Sequence, residues 1–378
     1  MIPLGNPRSL RKYFLLAPDV CFLNHGSFGA TPKPVMSVYQ GWQRELERQP
    51  VEFLGRRIEG LLADARQQLA GVLGARAQDF AFVENATTAI NVVARSIRLA
   101  RGDEVLATDL EYGACDLAWN HWCGRNGARY VRQTLNLDDP VGSFFSATGD
   151  RSRAVYLSHV TSSTALVLPV AEICDEARRR GLLSIVDGAH APGQIPLDLN
   201  TLGADVYAGN FHKWMCAPKG SGFLWARPDH HDWLEAPIVS WGWEGGGGFI
   251  SRIERQGTRD PAAYLATPAA AAFVREHDQL ERCHRLALSA RRELASLLGV
   301  EPIARDPSYV GRMVALPVPA AVDSETLQRR LYDEYRIEVP VTNGLLRVSL
   351  AMYNDRADLD FLLNALSSIL GRLRKTPT

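Results

Sequence analysis

Between about Ala75 and Arg227 the chain alternates short β-rich runs, most of them largely apolar, with longer stretches in which apolar residues recur every three or four positions. The runs FAFVEN (80–85), EVLATD (104–109), ARYVRQT (128–134), RAVYLSHV (153–160), LLSIVDG (182–188), DVYAGN (205–210) and GFLWAR (222–227) read as strands. They are rich in β-branched and aromatic residues and are bounded by turn formers. Between them, TTAINVVARSIRLA (87–100) and PVAEICDEARRRG (169–181) carry helical periodicity. Strands that alternate with helices imply βαβ crossovers, and strands apolar on both faces imply a sheet covered on both sides. The predicted fold class is therefore α/β, with a mainly parallel sheet covered by helices.

Beyond Arg227 the pattern changes. A Trp/Gly-rich loop, SWGWEGGGGF (240–249), precedes a long Ala/Arg/Leu/Glu-rich helical region that is expected to break at Pro268. The final hundred residues show helices and two strands, RMVALPV (312–318) and LLRVSLA (345–351), as in a smaller α+β domain joined through a long helix near residue 275. The expected division is 1–25, 26–275 and 276–378, with no internal repeat or low-complexity linker. His277 and His284, seven apart, are expected on one exposed face of a single helix.

Composition narrows the function. The 378 residues are 46% hydrophobic and 22% charged, with 42 basic and 42 acidic side chains and a formal net charge of 0. That balance argues against a nucleic-acid partner and favours a small molecule. No apolar run approaches the roughly 18 residues of a bilayer span, and the start MIPLGNPRSLRKYF lacks a signal-peptide core, so a cytoplasmic, non-membrane protein is expected. Six scattered cysteines without a C-x-x-C pair read as buried thiols rather than disulfides or zinc ligands. The sequence RPDHHDW (227–233) reads as a solvated loop, so no metal is expected. The glycines of 245–248 lack the ending of a phosphate-binding P-loop.

Candidate chemistry lies where apolar strands end. In DVYAGNFHKWMCAPKGSGFLWAR (205–227), Lys213 follows a strand and is flanked by Phe211, Trp214 and Met215. Desolvation there would lower its pKa and free its amine for a Schiff base, although most lysines are solvated surface charges. Asp187 ends another apolar strand, in VDGAHAPGQIPLDL (186–199). Ligands of open α/β sheets gather at carboxyl strand ends, so the two can face one crevice. A carboxylate there could keep a pyridine nitrogen protonated, and His190 could donate to a phenolate oxygen. The plainer readings are a helix cap and a satisfied polar side chain. In ENATTAIN (84–91) a strand gives way to a helix N-terminus at Asn85, Ala86 and Thr87, which suits a phosphate or is a simple cap.

Together with FLNHGSFGATP (22–32), EYGA (111–114), SHVTSSTALVLPV (158–170), GTRDPAAYLA (257–266) and LLRVSLAMYND (345–355), these windows form an ordered series. The series resembles the fold-type I pyridoxal-phosphate enzymes of aminotransferase class V, and within them the isopenicillin-N-epimerase-like subgroup, over nearly the whole chain. The resemblance implies pyridoxal 5'-phosphate as cofactor, a large cofactor-binding domain over 26–275 and a small domain over 276–378. It also implies that residues 1–25 contribute to the small domain and the entrance of the active site.

By the same resemblance, Lys213 carries the cofactor as a Schiff base, Asp187 pairs with the pyridinium nitrogen, and Tyr112 stacks on the ring as a candidate acid/base. Ser162 and His190 are implied at the phenolate oxygen. Ala86, Thr87, Asn210 and His212 are implied in the phosphate cup, with Thr258 reaching it from the neighbouring subunit of a homodimer. Arg347 is implied to bind the substrate α-carboxylate, and Asn24, His25, Gly26 and Ser27 to close over the substrate. The implied reaction is Cα-proton abstraction from an amino acid or amino-acid-like substrate through an external aldimine. Epimerisation leads, with carbon–sulfur β-elimination, transamination and a non-catalytic binding protein as alternatives. Related cysteine desulfurases carry a loop cysteine before the carboxylate-binding arginine. VPVTNGLLR (339–347) is short and has none, which argues against persulfide chemistry.

Overall fold

The computed structural model describes residues 10–373. Its strands are, in chain order, β1 (Cys21–Phe22), β2 (Phe80–Val83), β3 (Glu104–Thr108), β4 (Arg129–Gln133), β5 (Ser152–Ser158), β6 (Leu183–Gly188), β7 (Val206–Asn210), β8 (Gly222–Ala226), β9 (Met313–Pro317), β10 (Ile337–Glu338), β11 (Val341–Thr342) and β12 (Leu345–Ser349). All seven strands expected between Ala75 and Arg227 are present and form one sheet in the order β2-β8-β7-β6-β5-β3-β4. β8 runs antiparallel to both of its neighbours, while the remaining pairs are parallel, so the sheet is mainly parallel with one reversed strand.

Alternation along each strand divides the core. Phe80, Phe82, Val155 and Leu157 belong to one buried cluster, while Ala81, Val83, Ala154 and Tyr156 belong to another on the opposite face. The first cluster is closed by the helices Ile58–Leu73 and Val170–Arg179, the second by the helices Ala86–Ser96 and Gly113–Arg125. Burial on both faces explains why the inner strands lack a polar stripe, whereas edge strand β4 exposes Arg129 and Arg132. A third core joins Leu23 to residues between Ala287 and Leu370. It surrounds the antiparallel sheet β11-β12-β9, and β1 pairs in parallel with β10 beside it.

The expected break at Pro268 is present: a short helix, Ala262–Leu265, ends at Ala266, and Pro268 stands in the first turn of the next helix, Thr267–Glu276, where a missing N–H is tolerated. A second break, which the sequence does not announce, falls at His277–Gln279, and the following helix runs Leu280–Leu298. His277 and His284 therefore lie on no common face, contrary to expectation. His277 ends the helix Thr267–Glu276, stacked on Tyr13 with ring centroids 5.3 Å apart, and His284 Nδ1 hydrogen-bonds the Gly311 carbonyl at 3.1 Å.

Candidate active site

The reversed strand shapes the site. Because β8 returns antiparallel beside β7, the loop between them begins and ends at the carboxyl edge of the sheet. It is closed by Phe211 N–H and His212 N–H donating to the Ser221 carbonyl at 3.0 and 3.2 Å, and by Cys216 N–H donating to the Lys213 carbonyl at 3.0 Å. Buried Phe211, Trp214 and Met215 anchor this loop, so Lys213 is fixed by its neighbours. Its Nζ lies 3.1 Å from His190 Nε2, and the Trp214 indole N–H donates to His190 Nδ1 at 3.4 Å. An indole only donates, so Nδ1 of neutral His190 accepts and its proton sits on Nε2, where it can donate to Lys213 Nζ once that amine is neutral. Burial holds His190 far below the usual imidazole range. Burial, with the Arg347 charge adding to it and Asp187 opposing it, brings Lys213 down to about 8.

Asp187, on β6, is buried and accepts from Ala189 N–H at 2.8 Å, from the Tyr156 hydroxyl at 3.3 Å and from the Cys115 thiol at 3.6 Å. Burial raises its carboxyl above the ordinary range, with those donors and Lys213 working against the rise. Ser158 on β5 is its register partner. The Ser158 hydroxyl hydrogen-bonds Glu111 Oε2 at 2.6 Å, and the Thr108 hydroxyl donates to Glu111 Oε1 at 2.5 Å. Burial pushes Glu111 up to about 8. Glu111, Tyr156, Cys115 and Ser158 escaped the sequence reading, although Glu111 follows an apolar strand just as Lys213 does.

Lys213, Asp187 and His190 line a cavity of about 540 Å³ together with Ala86, Thr87, Tyr112, Ser162, Asn210, His212, Ser27 and Ser158. Asn85 Oδ1 caps the helix Ala86–Ser96 by accepting from Thr88 N–H at 2.9 Å, while Asn210 Oδ1 accepts from Ala86 N–H at 2.8 Å. Those two bonds engage the Ala86 and Thr88 N–H groups, and Thr87 between them stands at the cavity wall. His212 Nδ1 lies 3.0 Å from the Ser221 carbonyl, and burial lowers its pKa to about 4, so the ring is neutral with its proton on Nδ1. Tyr112, 47% exposed, precedes the helix Gly113–Arg125 at the cavity wall.

Arg347 on β12 donates through Nη1 to the Ser162 carbonyl at 2.6 Å and through Nη2 to the Ser27 hydroxyl at 2.8 Å, and its buried Nε has no partner. Ser27 donates to Asn24 Oδ1 at 2.6 Å, and Asn24 Nδ2 donates to Glu338 at 3.2 Å. Asn24 therefore holds Ser27 from behind and is not among the cavity's lining residues. His25 does not face the cavity either. It is 1% exposed, with Nε2 at 3.0 Å from the Lys213 carbonyl and Nδ1 at 2.9 Å from the Tyr353 hydroxyl. Thr258 is exposed and lines a different cleft, of about 890 Å³, with Trp241, Arg255 and Tyr264. No cysteine lines the Lys213 cavity, and among the described residues no cluster of side chains fits a metal. No described helix is long and apolar enough to cross a membrane.

The family model for aminotransferase class-V matches residues 29–299. The chain is 39% identical over 393 residues to an isopenicillin N epimerase of Amycolatopsis lactamdurans, covering 95% of this chain and 97% of that protein. It is 28% identical over 399 residues to a probable chloroplastic L-cysteine desulfhydrase of Arabidopsis thaliana, covering 93% of this chain and 83% of that protein. Among solved structures, the apo form of a cysteine desulfurase from Thermococcus onnurineus NA1 shares the fold with a TM-score of 0.83 at 22% identity, over 98% of this chain and 100% of the other.

Proposed function

We propose, from the premise that this chain belongs to the aminotransferase class-V family, that it uses pyridoxal 5'-phosphate to abstract the Cα proton of an amino acid or amino-acid-like substrate, in the manner of an epimerase. The observation that carries this reading is the set of groups around one cavity. A buried amine whose pKa is brought down to about 8, a buried carboxylate and a helix N-terminus face the same space. These groups suit an aldehyde, a ring cation and a phosphate in turn. Arg347 is not itself among the cavity's lining residues, but its Nη atoms bond Ser162 and Ser27, which are, so its guanidinium stands just behind the wall as a fork suited to a carboxylate.

When bound, the cofactor supplies an electron sink that acidifies Cα. In this reading Asp187 would keep the ring nitrogen protonated, and the helix turn at Ala86 and Thr87, with Asn210 and His212, would hold the phosphate. Arg347 orients the substrate carboxylate, exchanging its bonds to Ser27 and Ser162 for the new oxygens. Lys213 takes the Cα proton at Nζ, and Tyr112 returns one on the other face to invert the centre. A second reading, carbon–sulfur β-elimination, is favoured by the similarity to a desulfhydrase. Tyr112 would then protonate the leaving sulfur. Persulfide transfer to a protein thiol lacks its nucleophile, since no cysteine lines the cavity. Thr258 lies outside the cavity of its own chain, beside exposed Trp241. The proposed homodimer would carry Thr258 to the partner's phosphate site.

Borohydride treatment of the purified protein should fix the cofactor on Lys213. A label on Lys219, whose Nζ instead donates to the Gly29 carbonyl at 3.1 Å, would overturn the assignment. Incubation with an amino-acid panel in deuterated water then separates the reactions. Deuterium at Cα with loss of optical purity supports the epimerase reading. Pyruvate or a thiol product selects the lyase, and a keto acid with pyridoxamine phosphate selects a transaminase.

A further inference from the structure

We infer that His25 is a positioning residue for Lys213, acting through the lysine's main-chain carbonyl, and that Tyr353 fixes the ring tautomer that allows it to do so. The inference rests on the proposed role of Lys213 and adds residues to that site.

Both nitrogens of the buried His25 ring are engaged, Nε2 with the Lys213 carbonyl at 3.0 Å and Nδ1 with the Tyr353 hydroxyl at 2.9 Å. A carbonyl only accepts, so Nε2 must carry hydrogen. Burial, with Arg312 and Lys219 nearby, holds His25 down to about 3, and the ring is neutral. Nδ1 is then an acceptor, and the buried Tyr353 hydroxyl donates to it. Only this arrangement satisfies both contacts. Without the phenol, the proton could move to Nδ1, leaving two lone pairs facing each other across the Nε2–carbonyl contact.

The Lys213 carbonyl has one other donor, Cys216 N–H at 3.0 Å, within its own turn. The bond from His25 is the one that ties that turn to a segment 188 residues away. The rest of the segment reinforces it. His25 packs on Trp214 with ring centroids 5.0 Å apart, Thr31 donates to the Ala217 carbonyl at 3.0 Å, and Lys219 Nζ reaches the Gly29 carbonyl. The helical turn His25–Phe28 is therefore a strut beneath the lysine loop, and its far side holds Arg347 through Ser27. Small displacements of a reacting group are expensive in rate, so loss of the strut bond should appear at Lys213 Nζ before it appears in the fold.

The test strips the full-length protein of cofactor with hydroxylamine and follows recharging with pyridoxal phosphate by visible absorbance and circular dichroism, alongside thermal unfolding. His25→Ala should recharge about tenfold more slowly or worse, and Tyr353→Phe about three- to tenfold more slowly, with an altered visible dichroism. His25→Gln should recover to within about twofold, because its amide can donate to the carbonyl and accept from the phenol. A merely structural role would lower the unfolding midpoint without this pattern. If His25→Ala does not fold, the other two variants decide. Wild-type recharging and dichroism in Tyr353→Phe, or a glutamine variant no better than alanine, would overturn the inference while leaving the function standing. Failure of the wild-type protein to take up the cofactor would remove the proposed function and this inference with it.

Discussion

Burial raises the carboxyls of both Asp187 and Glu111, and the charge of Asp187 adds to the rise at Glu111. For Glu111 the rise is from 4.5 to about 8. The folded chain therefore holds a proton that the unfolded chain has released throughout that window, so folding stability falls as pH climbs from about 4.5 to 8. Glu111→Gln preserves an acceptor for Thr108 and offers Ser158 a donor, but it cannot ionise. It should be more stable than the wild type by about 2–4 kcal/mol at pH 8 and nearly equal at pH 4.5, as read by urea unfolding at both values. An equal difference at the two pH values would show that Glu111 does not titrate in this range. Single residues were unevenly legible. Lys213 and Asp187 stood out as charges at the ends of apolar strands. Glu111 carries the same signature, but the family resemblance points to its neighbour Tyr112. The family resemblance places His25 over the substrate with the rest of its segment, whereas its hydrogen-bond partners lie 188 and 328 residues away.

Elements were clearest where burial left no choice. Strands apolar on both faces declared themselves, and their positions came out within about two residues. The break at His277–Gln279 did not, because no glycine or proline marks it and the Leu/Glu/Arg pattern continues across it. The turn that delivers Arg347 had a signal. Asn-Gly joins β11 to β12, with Thr342 paired to Leu345 and φ of 52° at Asn343 and 74° at Gly344. Two positive φ values make this a tight primed hairpin. Open space surrounds Gly344, so Gly344→Ala should lose only about 1 kcal/mol of stability to backbone strain and leave cofactor uptake intact. Gly29 presents the opposite case. A Cβ there would meet the His212 carbonyl oxygen at 2.0 Å and Lys213 Cα at 2.9 Å. Gly29→Ala should therefore impair cofactor uptake, measured by the same recharging assay. Uptake unchanged in that variant would mean the segment can move aside without disturbing the lysine.

At the scale of the whole molecule, the alternation of strands and helices was enough to predict the sheet and its covering. It could not say which distant residues meet, because hydrophobic periodicity reports the face a side chain occupies and carries no information about the element opposite. The candidate site depends on such meetings. Asn24 reaches Glu338 across 314 residues of chain, Ser27 reaches Arg347 across 320, and Gly26 reaches Ser349 across 323. The β7–β8 hairpin that holds Lys213, in contrast, closes over a short loop. Closing a long loop costs more entropy than closing a short one, and contacts remote in sequence form late. Refolding should accordingly pass through a stage in which the sheet and lysine hairpin are formed while the His25–Gly29 segment is still undocked. Buried-tryptophan fluorescence would recover before cofactor capture, and simultaneous recovery would contradict this order. The chain would thus become a folded protein before it becomes a binding protein, with the docking of the His25–Gly29 segment separating the two states in time.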